Sequence, residues 1–352
     1  VRPDVLVAGG GPAGAACAAA LAEAGLRVVV AERAPAPRQT VCGEFLSGEG
    51  AAALASLGLD PARLGGLPLG RVRVRAGRAS AEADLPFPAW SLARDAMDAA
   101  LLGAARDRGA EVRRGLAVRR IDGAGAETAA GRIDAGAVVL ATGKHDVRGL
   151  RRGGPGVRIM LGLKEHLELD PAQARAIDGV VEVHFFPGGY AGLQPAAGGL
   201  ANLCLAATEG AFDRAGRTAA GLLAAVLRDA PGLAERLAGA RRPWPRPLAA
   251  AGLPYGFVHR GTGGPARVGD QLAVIPSFCG DGMAIALDSG RRAAARLIGG
   301  LQPGGRVPYA GQVALARLVD RATSGPAAAP AVALAGLVPG LLPALARATR
   351  VR

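Results

Sequence analysis

Residues 9–14 read GGGPAG, and the reading of this hexapeptide decides the fold. It satisfies GxGxxG through Gly9, Gly11 and Gly14. The first glycine serves a tight turn out of a strand, the second lets backbone approach a pyrophosphate, and the third permits close helix–strand packing. Pro12 and Ala13 then open a helix whose first amides point at phosphate oxygens. VLVA (5–8) precedes the motif and LRVVVAER (26–33) follows it, with Glu32 closing the second strand 23 positions after Gly9. That spacing suits a carboxylate on a ribose hydroxyl. Alone, the hexapeptide in a chain of 54 glycines reads equally as an ordinary glycine-rich loop. The flanking strand, helix and Glu32 make it a dinucleotide site.

Further along, Ser91 to Gly143 carries a helix with apolar positions at Met97, Leu101 and Ala105, then EVRRG, LAVRRI and AVVLATG. A third α/β piece begins at Val268 and enters a helix near Gly280 that runs to Ile298. Between these pieces RVRVRAG and SAEADLP alternate as strands do, and VRIMLGLKE, VVEVHFF and ANLCLAA read as successive strands of one antiparallel sheet. PWPRPLAAAGLP (243–254) marks a return crossing, and after Pro308 the chain is helical. The expected fold is therefore α/β: a discontinuous Rossmann-like domain (1–68, 91–150, 257–304), an inserted antiparallel β-sheet substrate domain (69–90, 151–256) and a C-terminal helical arm (305–352).

The second long motif, GDQLAVIPSFCGDGMAIALDSG (269–290), selects the cofactor. A Gly-Asp, then Pro276, then a glycine-rich entry to an apolar helix serve an extended cofactor from its far side, which favours FAD over NAD. Asp270 is placed to accept from the ribityl chain. Amides at Gly280, Asp281, Gly282 and Met283 face the flavin pyrimidine edge, where a helix N-terminus stabilises negative charge. The Asp281 side chain reads equally as flavin contact or as simple helix-terminal charge. No histidine or cysteine has an attachment context, so the FAD is expected to be non-covalent. No second GxGxxG follows a strand; NAD(P)H visiting transiently, or a flavin-reducing partner, is the expected electron source.

Over most of residues 1–300 the chain resembles the para-hydroxybenzoate hydroxylase-like flavoproteins, and in its motifs the geranylgeranyl reductase branch. GGGPAG with Glu32-Arg33 is similar to the family's first motif, and VGDQLAVIPSFCGDGM to its last. Arg94 resembles the arginine of the first long helix that contacts FAD, and Val118 falls where a backbone group meets adenine. RQTVCGEFLS (38–47) is similar to the reductases' Cys-Gly-Glu loop, which sets Cys42 and Gly43 beside the isoalloxazine. FPGGYAGLQP (186–195) is similar to their Pro-x-Gly-Tyr element, which sets Tyr190 on the substrate cavity. Two departures stand out. Ala141-Thr142-Gly143 occupies the place of the hydroxylases' Ala-Asp-Gly, and YAGLQP replaces an aromatic-rich run.

The resemblance implies an FAD-dependent oxidoreductase. The leading expectation is a monooxygenase of secondary metabolism, acting on a lipophilic or aromatic small molecule through reduced flavin and O2. The alternatives are a C=C reductase of the geranylgeranyl reductase type and a flavin electron carrier without substrate chemistry of its own. Cys42 and Tyr190 are the candidate catalytic residues. Each has a plainer reading, Cys42 as a small buried loop residue and Tyr190 as a strand tyrosine with a satisfied hydroxyl. Arg33, Arg38 and Arg148 are candidate partners for anionic FAD groups.

Composition excludes other classes. The net charge of +13 is almost all arginine, since Lys144 and Lys164 are the only lysines. It is spread along the chain without a basic helix or aromatic ladder, so nucleic-acid binding is not expected. Cys17, Cys42, Cys204 and Cys279 lie far apart with no metal-type spacing, which gives no expected metal site and a reduced, cytoplasmic compartment. The first strand begins at Asp4, so no leader is expected ahead of it. Residues 325–352 are apolar, broken by Pro339 and Pro343, and end in Arg347, Arg350 and Arg352. They are expected to pack over the substrate domain; contact with an anionic membrane, in a membrane-peripheral protein, is the alternative.

Overall fold

The computed structural model describes residues 2–261, 263–301 and 307–351. Arg352 and the expected boundary between residues 304 and 305 lie outside the described residues. In chain order the elements begin β1 (Val5–Ala8), α1 (Pro12–Glu23), β2 (Val28–Glu32), β3 (Phe45–Ser47), α2 (Gly48–Ala55), β4 (Leu67–Ala76), β5 (Ala79–Ser91) and α3 (Arg94–Asp107). Short strands β6 (Glu111–Arg114), β7 (Val118–Asp122), β8 (Gly125–Thr128), β9 (Gly131–Asp134) and β10 (Ala137–Leu140) follow. Next come β11 (Arg158–Leu167), α4 (Pro171–Ala176), β12 (Val180–Phe186), β13 (Gly189–Ala196) and β14 (Leu200–Thr208). Helices α5 (Glu209–Arg214), α6 (Ala219–Asp229) and α7 (Pro231–Arg236) precede β15 (Leu248–Tyr255), β16 (Ala266–Arg267) and α8 (Gly282–Ile298). The chain closes with α9 (Ala310–Thr323), α10 (Ala328–Leu337) and α11 (Leu341–Ala348).

Three sheets result. The first is parallel, in the order β16-β10-β1-β2-β6. Its three central strands, β10, β1 and β2, are near-continuous apolar runs such as Val5–Ala8, as burial on both faces demands. Helices α1, α3 and α8 share one core with it. Gly290 of α8 meets α1 so closely that a Cβ there would sit 2.2 Å from the Ala13 carbonyl oxygen.

The second sheet runs β15-β11-β14-β13-β12-β4-β5-β3. The inserted sheet is therefore mixed rather than purely antiparallel, because β12 pairs parallel with β4 from Val180↔Arg71 to Phe185↔Ala76. Those strands come from two separate insertions, and the α/β segment between them supplies the long crossover a parallel pair needs. β15 is a second correction. The proline-rich stretch expected as a return crossing ends in a strand, and its Pro254 is tolerated because β15 lies at the sheet edge. LAVRRI supplies β7 of a small antiparallel sheet, β7-β8-β9.

Helix α10 lies on β5 and β4, and α11 on β5. Ala328 and Val332 bury into a cluster with Phe185, Tyr190, Tyr255 and Phe257, while Leu334 and Leu337 stay exposed. Among the described residues no single helix is long and apolar enough to cross a membrane; α10 and α11 together approach that composition but are bent by 113°.

Candidate functional site

A cavity of about 670 Å³ runs from the C-terminal ends of β1 and β2 to one face of the second sheet. Its dinucleotide end is built by backbone. Gly9 has φ +113°, and a Cβ there would lie 2.4 Å from the Ala141 carbonyl oxygen, so glycine is required. Gly14 is not on the wall. It packs against the preceding turn, where a Cβ would stand 1.9 Å from the Gly9 oxygen. A Cβ on Gly11 would meet only Arg94 Nη2, at 3.9 Å, and otherwise faces open cavity. Gly11 is the N-cap of α1 and makes no side-chain cap, which leaves the helix's first amides without a side-chain acceptor. The Glu32 carboxylate accepts from the amides of Gly10 and Ala34, both at 2.7 Å, and is thereby oriented on the wall. Val118 and Leu116 line the same end.

Arg94 donates to Asp98 at 2.9 and 2.7 Å. Burial opposes its charge, but Asp98 and the Cys42 thiol hold its pKa above the usual range. It is thus a fixed cation between the Gly11 turn and the Cys42 loop. Arg33, Arg38, Lys144 and Arg152 add further cations to the wall. Arg33 Nη2 lies 2.6 Å from His145 Nε2, and Arg152 pairs with Asp146 at 2.6 Å. Burial, then these cations, push the His145 pKa down. Glycine cradle, helix terminus and cationic wall together fit the pyrophosphate of a dinucleotide. Arg148 is exposed and off the wall; Arg152, four residues on, is buried and donates to the carbonyls of Lys144 and Asp270. Ala141, Thr142, Gly143 and Asp270 line the middle of the cavity, where Gln271 ties the Gly143 and His145 carbonyls to the last motif.

At the far end the wall comprises Cys42, Gly43, Gly280, Gly282, Met283, Tyr190, Cys204, Tyr255 and Ser277. The Cys42 carbonyl accepts from Asn202 Nδ2 at 3.2 Å. Glu44 holds the loop from behind. It is buried, adopts φ +61°, and accepts from Lys164 Nζ at 2.5 Å, with His166 Nε2 3.2 Å away. Burial disfavours its charge, yet His166 and Lys164 keep its pKa below the usual carboxylate value. Lys164 is itself fully buried and also bonds Gln39 at 2.7 Å.

Tyr255 Oη lies 2.6 Å from Ser277 Oγ. Burial, reinforced by Tyr255 and Cys204, pushes the Tyr190 phenol well above its normal range, and burial raises Tyr255 likewise. Both phenols therefore stay protonated. Burial also pushes the Cys204 thiol up to about 12.

Two further expected cofactor residues are off the wall. Pro276 lies between Ile275 and Ser277, which do line it. The Asp281 side chain is completely buried and bonded to Ser47 and to the Val351 amide, which favours the helix-terminal reading of its carboxylate over a side-chain flavin contact. Sequence reasoning missed Glu44, Lys164, Arg152, Tyr255 and Ser277. Glu44 alone carried a signal, as the acidic member of the Cys-Gly-Glu loop.

Residues 2–136 match the FAD binding domain family. The menaquinone reductase of Mycolicibacterium smegmatis is 28% identical over 346 residues, covering 85% of this chain and 77% of that protein. The structure of the flavin-dependent brominase Bmp2 superposes with a TM-score of 0.80 at 20% identity, covering 99% of this chain and 93% of that one. A geranylgeranyl bacteriochlorophyll reductase-like protein from Thermoplasma acidophilum gives 0.69 at 19% identity, covering 94% and 82%. At such identities the two structural likenesses establish the fold.

Proposed function

We propose that this chain, an FAD-dependent oxidoreductase of the para-hydroxybenzoate hydroxylase-like superfamily, reduces a lipophilic substrate of the menaquinone type. The observation that carries the reading is the alignment with a menaquinone reductase along 85% of the chain. It replaces oxygen chemistry as the leading expectation.

FAD supplies the two-electron transfer when bound. Residues of this chain do the remainder. Gly9, Gly11 and the α1 terminus seat the pyrophosphate, Glu32 takes the ribose, and Arg94 fixes positive charge beside the Cys42 loop. Leu248, Leu253 and Ala206 form an apolar wall for the substrate. Tyr190 and Tyr255 remain neutral donors, and the Tyr255–Ser277 contact holds a proton at the cavity surface. Tyr255 is the residue we place as proton donor to the reduced substrate. Electrons reach FAD from a transient donor, NAD(P)H or a reducing partner.

Anaerobic turnover decides the matter. Photoreduced protein mixed with a menaquinone analogue should reoxidise, and the organic product should gain two hydrogens without oxygen. Product that appears only on admitting O2, carrying an oxygen atom, would instead establish the monooxygenase reading. Flavin reoxidation by a protein acceptor, with the quinone untouched, would establish an electron carrier.

A further inference from the structure

Asp281 stands between two glycines of the cavity wall, yet its carboxylate turns outward to residues that follow α11. Oδ2 accepts from the Val351 amide at 2.8 Å, and Oδ1 lies 3.2 Å from Arg350 Nη1 and accepts from Ser47 Oγ at 3.3 Å. Arg350 also donates through Nη2 to the Cys279 carbonyl and through Nε to the Ala346 carbonyl at 3.0 Å. Its guanidinium lies 4.8 Å from the Phe87 ring centroid, and the residue is 5% exposed.

Local backbone bonds shape the turn, from the Cys279 amide to the Pro276 carbonyl at 3.2 Å and from the Gly280 amide to the Ser277 carbonyl at 3.0 Å, and the Arg350 contacts tie it to residues far along the chain. Gly280 sits at φ +73° with Phe45 against it, so close that any Cβ would clash. Gly282 has no neighbour within 4 Å of an added Cβ. Glycines offer no side chain to pack on the cavity side, so the polar side-chain contacts that reach the turn come from the outward side, at Cys279 and Asp281. We infer that Arg350 is a positioning residue for bound FAD, fixing the Gly280–Gly282 turn through Asp281 and the Cys279 carbonyl. The inference requires FAD in the cavity with its ring at Gly280–Met283, and it is independent of the substrate.

The arrangement carries a pH dependence. Burial, with Glu49 of α2 adding repulsion, raises the Asp281 pKa to about 6 against the opposing pull of Arg350, the Val351 amide and Ser47. Asp320 of α9 is a further carboxylate that acts on this turn, at Cys279. Above that pH the ion pair is formed; as pH falls through it, Asp281 takes a proton and the pair is lost.

The test is fluorescence titration of the full-length apoprotein with FAD across that pH range. Wild-type affinity should fall as pH drops below about 6. Arg350→Met should bind FAD about tenfold more weakly at neutral pH, as expected for loss of a charge-assisted contact, and should show no step. Arg350→Lys should recover part of the affinity. Asp281→Asn, which is isosteric, should also lack the step, and it decides the question alone if Arg350→Met fails to fold. Folded Arg350→Met or Asp281→Asn with wild-type affinity and pH profile overturns the inference. A wild-type protein that binds no FAD would instead overturn the cofactor site itself.

Discussion

Tyr255 Oη and Ser277 Oγ lie 2.6 Å apart and join the edge strand of the large sheet to the segment leading into α8. This contact crosses from the substrate sheet to the cofactor motif, and both residues line the cavity. Tyr190 belongs to the same buried cluster and stacks edge-on against Phe278 with ring centroids 5.8 Å apart.

Tyr255→Phe removes the hydroxyl and little else. FAD content should be unchanged, while turnover falls by about 10²-fold or more, the usual contribution of a positioned acid. Stopped-flow reoxidation of reduced protein by the quinone analogue measures the step directly. Unaltered reoxidation would remove Tyr255 from the chemistry and return the role to Tyr190 or water.

Gly11→Leu and Gly14→Ala should fail in opposite ways. The side chain at residue 11 enters open cavity where the pyrophosphate sits, so the protein should fold and purify without flavin. Residue 14 has no room for a methyl group at all, since its carbon would stand 1.9 Å from the Gly9 oxygen. That variant should be insoluble or strongly destabilised. Visible absorbance and circular dichroism separate the outcomes.

Glu44→Gln should cost about 3–5 kcal/mol, because it leaves Lys164 buried without its counter-charge. The folded-state pKa of Glu44 is depressed, so its stabilisation is fully present above the unfolded value of about 4.3. It is lost as pH falls through the folded value. Urea titrations should therefore show a large gap between variant and wild type at neutral pH that narrows in acid.

Cys42→Ala should keep the flavin and change turnover or product distribution, since the residue lines the far end of the cavity within reach of Arg94. Identical kinetics with the native substrate would make Cys42 a packing residue.

Deletion of residues 325–352 should lower the melting temperature and flavin retention together, because Ala328 and Val332 cover the Tyr190 cluster and Arg350 holds the Gly280 turn. Membrane contact through exposed Leu334 and Leu337 is tested separately, with Leu334→Gln/Leu337→Gln on anionic liposomes. Salt-sensitive binding lost in that variant would establish it.

What the sequence disclosed was local. GGGPAG, Glu32 and the helix after Gly280 are recognisable because their chemistry lies in backbone geometry a few residues long. Glu44, Lys164 and His166 were opaque because a loop residue ahead of β3 meets two side chains of β11 that lie more than a hundred positions along the chain and are not paired with it. The two readings of Asp281 could not be separated in the sequence, because Arg350, which lies 3.2 Å from its carboxylate, is far along the chain. The β12–β4 parallel seam was invisible too, since neither strand's pattern records its partner's direction.

Helices α1 and α8 touch through glycine and alanine with no room to spare, although one begins at residue 12 and the other at residue 282. The nucleotide-binding half therefore cannot close during synthesis until α8, ending at Ile298, has emerged. Until then the alanine-rich flank of α1 that α8 covers stays uncovered. Such long-range closure slows folding and exposes apolar surface meanwhile. Expression with ample flavin and at reduced temperature should raise soluble yield, because ligand that binds only the closed form draws late-folding chains into it.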